Sequence, residues 1–177
     1  MSERLVTDQD GNLFETSTAT FDSRRLYRYR LTRTWDTSAP PLMFIMLNPS
    51  TADAFVPDPT ITRCIGFAKR EGAGGLVVCN LFGFRATNPN ELLYHPHPVG
   101  NSNDELLVDS LAHVDRVIVA WGVPGRLHDR DRKVMRLLAE HGVEPLCLDV
   151  TKDGLPKHPL YVKADQPLQP YHPEHLA

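Results

Sequence analysis

At 177 residues with 41% hydrophobic side chains, the chain is long enough to bury one proper core and too short to divide comfortably into two. Its formal net charge of −3 withholds the broad attraction on which a duplex-binding protein relies. No segment is apolar for long enough to cross a bilayer, and Met1 to Asp10 lacks the basic-then-apolar order of a signal sequence, so a cytoplasmic protein with no membrane partner is expected.

Residues 1–20 read as an N-terminal extension ahead of a core spanning 26–168. Leu26 to Trp35 alternates Tyr27, Tyr29 and Leu31 with Arg28, Arg30 and Arg33, which predicts a β-strand, antiparallel and at the edge of the sheet. Arg24, Arg25, Arg28, Arg30 and Arg33 form the densest basic stretch; a solvated edge guarded by charge is the simpler reading, a nucleic-acid surface the sharper one.

Leu42 to Leu47 is an uninterrupted apolar run that stops at Asn48-Pro49-Ser50-Thr51-Ala52-Asp53. Such a strand suits a sheet covered on both faces, where ligands bind beyond the carboxyl ends of the strands. Pro49 stiffens the exit, although Asn, Pro, Ser and Asp also make ordinary turns. Asp58 can cap a helix with Pro59 at its first position, with Ile61, Ile65 and Ala68 on one stripe and Gly72 or Gly74 at its end. Gly75 to Phe82 is the second apolar run, broken by Asn80 and followed by Arg85 and Thr87. Ser102 or Asn103 can cap a helix from Asp104 to Val114 whose inner face is Leu106, Leu107, Leu111 and Val114. Arg116 to Gly122 is a third strand, Asp129 to His141 a helix burying Val134, Leu137 and Leu138, and Glu144 to Val150 a fourth strand. Strand and helix therefore alternate from Leu42 to Val150, the pattern of a parallel sheet with helices on its faces.

Cys64, Cys79 and Cys147 fall inside predicted helices or strands without metal-ligand spacing, so reduced buried thiols are expected, with no metal and no cofactor. Gly72, Gly74 and Gly75 follow a helix instead of opening one, which is the wrong context for a phosphate loop. Beyond Val150 the chain is rich in Pro and His and reads as irregular, with 169–177 as a tail. A loop at Lys152 to Val162 would return to the sheet edge that carries Asn48 and Asn80, which singles out His158 among the eight histidines as a proton donor or acceptor near neutral pH.

The strings MLNPSTAD, DPT, NLF with Arg-x-Thr, AWG and the late Pro-Lys-His-Pro-Leu-Tyr resemble a bacterial and phage domain-of-unknown-function family, number sixteen forty-three, over about Tyr27 to Leu168. More distantly, Asn48-Pro49, Asn80 and His158-Pro159 resemble, in order and strand-end placement, the uracil-DNA glycosylase superfamily. That resemblance implies a three-layer α/β/α fold with a central mainly parallel sheet, joined by the N-terminal antiparallel edge strand or hairpin. It also implies a nucleobase, nucleotide or nucleic acid as partner.

Hydrolysing an N-glycosidic bond needs a held water and stabilisation of an anionic leaving base. By the resemblance, Asn48 would hold the water and His158 would hydrogen-bond the leaving base. Asn80 would read the base edge, since an amide offers a donor and an acceptor. Pro49, Ser50, Thr51 and Asp53 on the first loop, Arg85 after the second strand and Tyr161 after His158 complete the expected substrate-binding set. Phe55, Phe82 or Phe84 would supply a stacking platform, unless they belong to the core. The loop from Asp53 to Asp58, with Phe55 and Val56, is expected to roof the pocket while Asp58 caps the next helix. Two other readings stay open: a non-catalytic base-binding or nucleotide-binding module on the same scaffold, and a hydrolase using Asp53 or Asp58 with a metal, for which no partner cluster is apparent.

Overall fold

A computed structural model describes residues 2–56 and 58–173. Residues 5–34 form an antiparallel meander of three strands, β1 (Leu5–Gly11), β2 (Thr16–Asp22) and β3 (Arg28–Thr34). The Thr side chains that make this segment look polar pair across strands, Thr7 with Thr20 and Thr18 with Thr32, while Ala19, Phe21 and Leu31 face the core.

The apolar run becomes β4 (Pro41–Met46), and α1 (Pro59–Arg70) follows it. Asp58 accepts a 2.7 Å hydrogen bond from the Ile61 amide with Pro59 in the first turn, as its sequence position predicts. Next come β5 (Gly75–Asn80), the short α2 (Asn90–Tyr94), α3 (Asn103–Leu111), β6 (Arg116–Val119), α4 (Arg130–Glu140), β7 (Leu146–Cys147) and β8 (Gln169–Pro170). These strands make one eight-stranded sheet in the order β1-β2-β3-β5-β4-β6-β7-β8. Pairing is parallel from β5 through β7 and antiparallel elsewhere.

The fold is therefore mixed α/β, and three expectations change. Leu26 to Trp35 is not an edge: β3 lies between β2 and β5, because residues 5–22 supply two further strands. Its arginines do not form one solvated face either. Arg25 pairs with Asp8 and Arg30 with Asp109, whereas Arg28 and Arg33 are buried. The fourth parallel strand shrinks to two residues plus an isolated bridge from Val150 to Pro156, and part of the tail pairs with it as β8.

Strand alternation divides the core. Leu42, Phe44 and Met46 join Leu76, Val78 and Ile118 in one cluster with Ile61, Cys64 and Phe67 of α1. Met43, Ile45, Val77, Cys79, Val117 and Val119 join Leu92, Leu107, Val134 and Leu138 from α2, α3 and α4 in another. Cys64, Cys79 and Cys147 are all free and buried. Among the described residues no helix is long and apolar enough to cross a membrane.

Candidate functional site

The chain runs from β4 through α1 to β5 on one side, then crosses to β6 on the other side of β4. Connections leaving in opposite directions open a crevice beyond the carboxyl ends of the strands, where open α/β sheets bind ligands. A cavity of about 580 Å³ lies there. Met46, Val78 and Asn80 reach it from strand positions of the parity that faces α1, Asn48 from two residues past β4, and Asp58, Thr60 and Ile61 close it from the start of that helix. Trp121 to Pro124 at the exit of β6, and Thr151, Lys157, His158, Leu160 and Tyr161 from the late loop, complete the wall.

Asn48, Asn80 and His158 thus line one cavity. Asn48 donates through Nδ2 to the carbonyls of Pro49 (3.0 Å) and Ala86 (2.8 Å), and the Ala86 amide returns a bond to Pro49 O. This ties the loops after β4 and β5 together and leaves Oδ1 with no donor among the described residues. Asn80 stands opposite Met46 at the last position of β5 and is only 5% exposed, yet its side-chain amide has no hydrogen-bond partner among the described residues. The Ser50 hydroxyl, on another residue of the wall, is enclosed and without a partner among the described residues, whereas the Trp121 indole N–H packs toward Gly125 in the other core. Buried polar groups in folded proteins are normally paired, so the unpaired Asn80 amide in this wall, with Ser50 beside it, marks the cavity as a place for a polar ligand.

His158 caps the 3-10 turn Pro159–Tyr161, its Nδ1 accepting the Leu160 amide at 3.2 Å. That bond assigns the proton of the neutral ring to Nε2, which is left as a donor. Burial pushes its pKa below the ordinary value, against a smaller upward pull from Asp58, so the ring is neutral at pH 7. Arg63 of α1 holds the turn by its backbone, donating to Pro159 O and Val162 O. The Gly122 amide donates to Pro156 O at 2.8 Å, joining the β6 exit to the same loop.

Several expected residues lie elsewhere. Pro49, Ser50 and Tyr161 line the cavity, but Thr51, Asp53, Phe55, Phe82 and Arg85 do not. Thr51 bonds Thr87, and Asp53 accepts the Phe55 amide in a turn. Phe55 packs on the α1-side core instead of roofing the pocket, while the Asp58 cap does stand in the cavity wall. Phe82 is fully buried in the other core with an edge contact to His128, and Phe84 stacks on His95 at 4.0 Å, so neither is a platform. The aromatic residues at the cavity are Trp121, buried, and Tyr161, 81% exposed and edge-on to the His158 ring. Arg85 acts on the first loop's backbone, donating to Ser50 O, Thr51 O and Ala52 O; Arg28 donates to Ala52 O and Arg33 to Ala54 O. Arg85 and Arg33 therefore hold the loop from Ser50 to Ala54, with Arg28 touching it only at 3.4 Å.

Sequence reasoning missed Arg28, Lys157 and Trp121 as cavity residues. Trp121 carried a usable signal, since it ends an apolar strand just as Asn48 follows one. Arg28 carried none while β3 was taken for an edge, because only its place between β2 and β5 turns it inward.

A family model described as "Protein of unknown function (DUF1643)" matches residues 28–160, which include the cavity residues from Arg28 to Leu160. No curated protein and no solved structure matches the chain.

Proposed function

The chain belongs to the DUF1643 family, whose description assigns no activity, and we propose from the site itself that it recognises a nucleobase and hydrolyses its N-glycosidic bond on a three-layer, uracil-DNA glycosylase-like scaffold. The observation that carries this reading is the Asn80 amide, held at the end of β5 with donor and acceptor both unpaired and facing a cavity of ligand size. A planar heterocycle with adjacent donor and acceptor atoms satisfies that amide in a bidentate pair. Apolar surface from Met46, Leu47, Val78 and Ile61 would cover the ring faces, and Tyr161 would stack from the mouth.

In the reaction, Asn48 Oδ1 accepts a hydrogen bond from the attacking water. The water oxygen bonds to C1′, the C1′–N bond breaks, and its electron pair passes to the base, where His158 Nε2–H stabilises the negative charge. The proton lost by the water ends on the departing base, so the products are free base and a sugar hydroxyl. An amide in place of a carboxylate cannot stabilise the sugar cation by charge, so turnover is slow. The double commitment of Asn48 Nδ2 to backbone carbonyls favours a second reading, a module that binds the base without cleaving it.

The test is release of free base, followed by chromatography, from oligonucleotides, nucleosides and nucleotides carrying normal and modified bases. Release that disappears in His158→Ala supports the enzyme. Tight binding without release supports the module, and neither binding nor release refutes both.

A further inference from the structure

One charged group in the cavity wall has no part in reading a base. Arg28 is 7% exposed and lines the cavity from the start of β3. Among the described residues the guanidinium makes a single long hydrogen bond, 3.4 Å to Ala52 O, and no carboxylate comes within ion-pair distance. Among charged neighbours Arg85 repels it most and Arg33 adds to that; Asp58, more strongly than Arg33, and Asp53 attract it, but each carboxylate already accepts a backbone amide. Burial is the main influence and lowers its pKa to about 10, so the group remains cationic at neutral pH. A buried cation is normally paired, because removing it from water is costly, and a guanidinium has five N–H donors to satisfy. Ser50 belongs to the same wall, its hydroxyl enclosed and without a partner among the described residues. Lys157 is a weaker candidate receptor, since Asp149 already holds its ammonium at 2.6 Å.

We propose that Arg28 receives a phosphate, and that the substrate is a free nucleoside monophosphate whose base is read by Asn80. The proposal rests on the nucleobase reading for one end of the ligand and on Arg28 for the other. A free nucleotide fits better than a strand, because an anion that reaches a group so deeply buried must enter the cavity whole. A phosphodiester with nucleotides on both sides stays at the mouth. The net charge of −3, and Asp53 exposed on the neighbouring loop, act against a polymer backbone as well.

Calorimetric titration of the full chain with free bases, nucleosides, nucleoside 5′-monophosphates, ribose 5-phosphate and single-stranded oligonucleotides tests this, repeated with Arg28→Met. The preferred monophosphate should bind about 10- to 100-fold tighter than its nucleoside, as expected for charge-assisted hydrogen bonds. Arg28→Met should erase that difference, leave nucleoside affinity unchanged and melt no lower than wild type, because it removes a buried charge that has no carboxylate partner among the described residues and only one long hydrogen bond to the protein. Equal affinity for nucleoside and monophosphate in the wild type would overturn the phosphate subsite while the nucleobase reading stands. Arg28-dependent binding that is tightest for oligonucleotides would overturn the free nucleotide in favour of a strand. Ribose 5-phosphate binding as tightly as any nucleotide would overturn the nucleotide and, separately, the nucleobase reading. Melting several degrees lower in Arg28→Met would make the residue a strut for the first loop and overturn its role as a receptor.

Discussion

Replacing Asn80 by Leu should change stability and binding in opposite directions. The Asn80 amide is 5% exposed without a protein partner, so the folded state carries an incompletely satisfied polar group that a Leu of similar size removes. Full burial of an unpaired amide is worth about 1–3 kcal/mol, and because this one faces a cavity the lower end applies, roughly 1 kcal/mol in favour of Asn80→Leu. In a chain of this size that raises the melting temperature by about 2–4 °C. Affinity for the base should fall by about 1–3 kcal/mol, roughly fivefold to 150-fold, since both hydrogen bonds of the bidentate pair are lost. Thermal denaturation without ligand, paired with calorimetric titration of the preferred base, reads both effects on one preparation. A variant that melts several degrees lower and still binds the base would refute the reasoning, because the amide would then be holding the fold together.

Asp58→Asn should retain stability and turnover because Asn caps as well as Asp, whereas Asp58→Ala should lose on the order of 1 kcal/mol by urea denaturation through the broken bond to the Ile61 amide. Asn48→Ala should lower single-turnover cleavage far more than base affinity, and should also cost about 1 kcal/mol of stability because Ala86 O loses its donor while Pro49 O keeps the Ala86 amide. His158 is held below its ordinary pKa, so the unfolded chain binds this proton more tightly than the folded protein. Its contribution to stability is complete above about pH 6.5 and is lost as pH falls through the lower folded value; denaturation midpoints across that range should be flatter for His158→Gln.

The parallel core was legible because its strands are buried on both faces and read as continuous apolar runs: Leu42 to Leu47 and Gly75 to Asn80 need no neighbour to be recognised. The Asp58-Pro59 helix start was legible for a local reason, a cap and a first-turn proline in sequence. The meander was not, since β2 reads Thr-Ser-Thr-Ala-Thr-Phe-Asp and its fitness as a strand lies in Thr partners 13 and 14 residues away. Asn80 could be placed at the cavity because alternation fixes the face of a strand's last residue. Asn48 and Phe82 each lie two residues past a strand, where alternation no longer decides, and Phe82 turns into the other core while Asn48 stays at the cavity. Arg28 shows the same limit from the other side, as its burial depends on two strands that pair only at long range.

The loop from Ser50 to Ala54 is held by its carbonyl oxygens, gripped by Arg33 and Arg85 from outside the loop. A backbone gripped in this way leans less on its own side chains, of which Thr51 bonds only the exposed Thr87 and Asp53 only the Phe55 amide. Thr51, Ala52 and Asp53 are exposed and can be exchanged without moving Asn48, Pro49 or Ser50. The rim beside the cavity is therefore free to diversify, or to be redesigned, while the chemistry a few ångströms away keeps its shape.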